Sequence, residues 1–87
     1  MKVYFVNTNA DNGVIFEQDG KCKFNYGENG YLDGIDLYDR NETIGNLKTY
    51  FETNDINGFS ELYGDEHNFA DITSDDNYNL TYICDID

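Results

Sequence analysis

The chain has 87 residues and a formal net charge of −13, which is too short for more than one domain or a deep catalytic cleft. It is also too acidic to bind nucleic acid or an anionic membrane directly. Disordered acidic chains are poor in aromatics, whereas this one carries eight tyrosines and six phenylalanines, so residues 1 to 87 are expected to fold as a single domain.

The opening "KVYFVN" is rich in strand formers and alternates Val3 and Phe5 against Tyr4 and Val6, the pattern of a β-strand. Asn12-Gly13 is a turn signal, and "VIFEQ" after it is a second strand. Asp19-Gly20 is the strongest hairpin signal in the chain and leads into "KCKFNY". Glycines at 27, 30 and 34 then mark a loop with a short strand near Ile35 to Tyr38. One helix is expected. Asp39 and Glu42 match the spacing of a capping box, and Ile44, Leu47 and Phe51 follow at helical spacing through "NETIGNLKTYFETN". The next stretch is expected to be irregular, with one helical turn from Ser60. In "DNYNLTYICDID" alternation returns, putting Tyr78, Leu80, Tyr82 and Cys84 on one face and Asn79, Thr81, Ile83 and Asp85 on the other. The sum is an α+β domain, a small antiparallel β-sheet with one main α-helix packed on one face.

Most catalytic chemistry fails on inventory. His67 is the sole histidine, no serine sits in a Gly-x-Ser-x-Gly turn, and Cys22 and Cys84 lack a Cys-x-x-Cys arrangement or a neighbouring histidine. Without a secretion signal the two cysteines are expected to be reduced and buried, in a cytoplasmic protein. "GENGYLDG" lacks the Lys-Ser/Thr ending of a phosphate loop and holds acids that repel phosphate. Calcium is a closer competitor, since carboxylates and amides are its ligands. In "NTNADNGVIFEQ", however, Asn12 stands where an EF-hand needs glycine and Gln18 where it needs a bidentate glutamate. The chain is therefore expected to be no enzyme and to need neither metal nor cofactor.

Charge divides the chain. Residues 1 to 48 hold eight acids and five bases, while residues 49 to 87 hold ten acids and no base at all. Such an excess costs self-repulsion without helping the fold, and a basic protein partner would account for it. The stretch "ELYGDEHNFADITSDDNYNL" concentrates the feature, so the candidate partner-binding residues are Glu61, Asp65, Glu66, Asp71, Asp75 and Asp76. Tyr63 and Tyr78 join them as rings on which arginine can stack.

In size, charge and aromatic content the whole chain resembles the DNA-mimic inhibitors of phage and mobile elements, that is, anti-CRISPR and antirestriction proteins. The resemblance implies an inhibitor acting in the host bacterial cytoplasm. Its partner would be the basic nucleic-acid-binding surface of a CRISPR effector or, alternatively, of a restriction nuclease. A plain acidic interaction domain or an irregular calcium-binding domain are the other expectations the composition permits.

Overall fold

The computed structural model describes residues 1–7, 12–26, 40–62 and 64–86. Five strands, β1 (Lys2–Asn7), β2 (Asn12–Gln18), β3 (Lys21–Tyr26), β4 (His67–Asn68) and β5 (Asn79–Asp85), form one sheet in the order β4-β3-β2-β1-β5. Every neighbouring pair is antiparallel. The main helix, α1 (Arg40–Thr53), packs on one face, and a short helix, α2 (Phe69–Thr73), packs on the other. A 3-10 turn, Phe59–Glu61, falls where one helical turn from Ser60 is expected.

The Asp19-Gly20 hairpin forms as expected. Asp19 has φ 54° and Gly20 φ 83°, the positive pair that a two-residue turn between right-twisted strands requires. Gln18 pairs with Lys21 across it, which fixes the register of β2 against β3. The Asn12-Gly13 signal does not act as a turn. Both residues lie inside β2, with Asn12 paired to Asn7 and Gly13 to Val6. The expected strand at Ile35 to Tyr38 and the Asp39 cap lie outside the described residues.

Alternation along β1 and β2 sorts the apolar side chains into two cores. Val3, Val14 and Phe16 face α1, which contributes Leu47 and Phe51 at helical spacing. Val6, Ile15 and Cys22 face α2, which adds Phe69 and Ile72. The α1 helix ends in a left-handed residue, Asp55 at φ 55°. The Ile56 N–H then donates back to the Phe51 carbonyl at 2.9 Å, a Schellman-type closure with its usual apolar contact.

On β5 the expected faces hold only as far as Tyr82. Tyr4 pairs with Tyr82 but Val3 pairs with Cys84, so Ile83 is an extra residue in the strand. This bulge resets the period. Ile83, Cys84 and Ile86 all enter the core beneath α1, and Cys84 does not share a face with Leu80.

Both cysteines are buried, free thiols in separate cores. Burial, with the Glu17 carboxylate adding to it, pushes the Cys22 thiol up to about 11. A raised thiol pKa favours the folded state fully below the ordinary value near 9.0, and that contribution is lost as pH rises towards about 11. At pH 8 the native Cys22 thiol should therefore react with a disulfide reagent about 100-fold more slowly than in denaturant, since the attacking species is the thiolate. Equal rates would contradict the burial of Cys22.

Candidate functional site: an acidic crossing of the sheet

After the 3-10 turn the chain crosses the α2 side of the sheet, from the β4 edge to the β5 edge. Asp65 and Glu66 precede β4, Asp71 lies in the first turn of α2, and Asp75 and Asp76 follow that helix on the way to β5. Local chemistry fixes this path. The Asn68 Oδ1 accepts from the Ala70 N–H at 2.9 Å and caps α2. The Phe69 N–H donates to the Gly20 carbonyl at 2.9 Å, tying the start of α2 to the β2–β3 turn. Phe69 and Ile72, three residues apart, then anchor α2 to the sheet and leave Asp71 exposed.

The rings beneath the crossing are packed together. Tyr4 lies 5.2 Å from Phe69 and 5.8 Å from Tyr82, centroid to centroid, and Phe24 lies 5.2 Å from His67 and 5.7 Å from Tyr78. Tyr78 is thus half-buried against Phe24 and presents only part of its ring. Tyr63 lies outside the described residues. Tyr82 is 44% exposed on the same side as Leu80 and was not singled out as a site residue. The signal for it was present in the alternation Tyr78, Leu80, Tyr82.

Two of the candidate acids do structural work. Asp75 Oδ1 accepts from the Asn77 N–H at 2.9 Å, and Glu61 Oε2 accepts from the Asn57 N–H. Asp65, Glu66, Asp71 and Asp76 are exposed, and among the described residues no ion pair or hydrogen bond engages their carboxylates. Four inter-strand steps of about 4.8 Å make the sheet about 19 Å wide.

Among the described residues no group of three or more His, Cys, Asp or Glu could hold a metal ion. None of their helices is long and apolar enough to cross a membrane. No family model, curated protein or solved structure matches the chain.

The spread of the carboxylates makes a prediction about ions. Sodium chloride should raise the melting temperature by screening their repulsion, and millimolar calcium should do no more than equal magnesium. A large calcium-specific rise would demonstrate a built site, because only specific binding to the folded state stabilises it by mass action.

Proposed function

We propose that this protein is a non-catalytic inhibitor, encoded by a phage or mobile element, that occupies the nucleic-acid-binding surface of a bacterial defence nuclease in place of DNA. The supporting observation is the run of exposed acids Asp65, Glu66, Asp71 and Asp76, with Asp75 among them, in the segment that leads from the β4 edge over α2 to β5, with no base following Lys48. A lysine- and arginine-lined groove built to neutralise phosphates meets carboxylates held on a folded scaffold. Aromatic edges along the same side add surface on which arginine packs.

A CRISPR effector is the preferred partner within this class. Its channel holds the guide–target duplex through backbone and shape and not through base sequence, so a charge mimic needs no base-like features to enter. A restriction nuclease reads base edges as well. The test is capture of nucleases by the tagged protein from a bacterium that carries both systems, followed by cleavage assays on each captured nuclease. A CRISPR effector inhibited at near one-to-one stoichiometry is the expected result. Capture of a restriction enzyme alone would move the proposal to that target, and capture of no basic nuclease would end it.

A further inference from the structure

A depression of about 280 Å³ opens on the other side of the sheet, at the end marked by the β2–β3 turn. Its apolar lining is Met1, Phe51, Ile56, Phe59 and Ile86, which the Schellman closure of α1, the 3-10 turn and the pairing of the Ile86 N–H with the Met1 carbonyl bring together. Adjoining hollows on the same side share its walls and carry Asp19, Glu52, Asp55 and Glu66 against Lys21 and Lys48. The rim is therefore acidic by two to one. Glu66 belongs both to this rim and to the acidic crossing, so the two surfaces meet at the β4 edge.

We infer that this depression is an anchor pocket for one apolar side chain flanked by arginine or lysine, presented by the same basic partner; the inference rests on the function proposed above. The apolar floor takes the anchor out of water, and the carboxylate rim holds the cations on either side. Buried anchors of this kind dominate binding energy while charged rims set association rate and orientation. The acidic crossing supplies charge, and the pocket supplies a contact that salt does not screen.

Gly58 gives a way to block the site without cutting into the core. It lines the depression, its φ of −172° is extended backbone that any residue adopts, and a Cβ there meets no heavy atom within 4 Å. The probes are the blocked pentapeptide Arg-Arg-Phe-Arg-Arg and its twin with alanine in place of phenylalanine, each titrated into the isotope-labelled protein and followed by NMR. The phenylalanine peptide should bind at least about 5-fold tighter than its twin and shift the amides of Asn57 and Gly58 and the methyl of Met1. Gly58→Leu should keep the melting temperature and reduce that preference to less than about 2-fold. Equal affinity of the two peptides for the unmodified protein, or shifts confined to residues 71 to 76, would overturn the pocket. Since no nuclease is present, that result would leave the acidic crossing standing, and failure to capture a nuclease would leave this comparison intact.

Discussion

Replacing Asp65, Asp71 and Asp76 together by asparagine is expected to weaken binding to the target nuclease by about 100-fold. These three carboxylates have no structural partner among the described residues, so the fold should survive their neutralisation. Each faces a cation in the proposed complex, and a loss of about 1 kcal/mol per charge pair compounds to about two orders of magnitude. Net charge alone must be separated from position. The triple Asn41→Lys, Asn46→Lys, Thr49→Lys places three charges on exposed positions of α1 and moves the net charge by the same three units. It should slow association but change affinity by less than about 5-fold, since charges distant from the contact act mainly through steering. Equal losses in the two triples would show that a diffuse field, and not the crossing, drives binding.

The largest effect on stability is expected at Lys23. This side chain is 5% exposed, and its Nζ donates to the carbonyls of Phe59 at 3.1 Å, Ser60 at 3.4 Å and Leu62 at 3.1 Å, while lying 5.0 Å from the centre of the Phe59 ring. Burying an ammonium is costly unless acceptors replace its water, and three carbonyls do so here. A hydrophobic replacement restores packing but leaves those carbonyls without a donor. The Phe59 and Ser60 carbonyls are only partly buried and can turn to water, whereas the bond to Leu62 is buried. Lys23→Met should therefore cost about 2 to 4 kcal/mol, mostly at Leu62, and lower the melting temperature by about 10 to 25 °C in a domain of this size. A loss below about 1 kcal/mol would mean that the segment from Phe59 to Leu62 does not depend on this contact.

Lys23 also shows where the sequence ceased to be informative. In "KCKFNY" an alternating pattern would leave lysines on a solvent face, but this sheet has cover on both sides, so Lys23 is buried beside the 3-10 turn. The long elements were legible because their periods are strong. Val3 and Phe5 alternate with Tyr4 and Val6, Asp19-Gly20 can take positive φ, and Leu47 and Phe51 lie four residues apart on α1. Shorter elements escaped. A five-residue helix such as α2 offers one apolar pair, Phe69 and Ile72, and β4 has only two residues, too few for any period to register. Asn12-Gly13 misled because pairing with β1 outweighs a local turn preference. At the end of β5 a single inserted residue, Ile83, reversed the faces, and a bulge leaves no mark in an alternating string.

The acids of the candidate site were all visible as charges in the sequence, but their arrangement was not. Only the structure shows that the segment carrying them leaves the β4 edge and leads over α2 towards β5, that Asp75 and Glu61 are held by local hydrogen bonds, and that Tyr78 is packed against Phe24.

Equilibrium competition tests the central claim most directly. Labelled DNA bound to the captured nuclease is followed by fluorescence anisotropy while the protein is titrated in, at several fixed nuclease concentrations. If the acidic crossing occupies the DNA site, the apparent Kd for DNA should rise in proportion to the free protein concentration with no ceiling, and binding of the protein should weaken as salt rises. A plateau in the apparent Kd, or DNA that remains bound while the protein saturates the nuclease, would contradict the account.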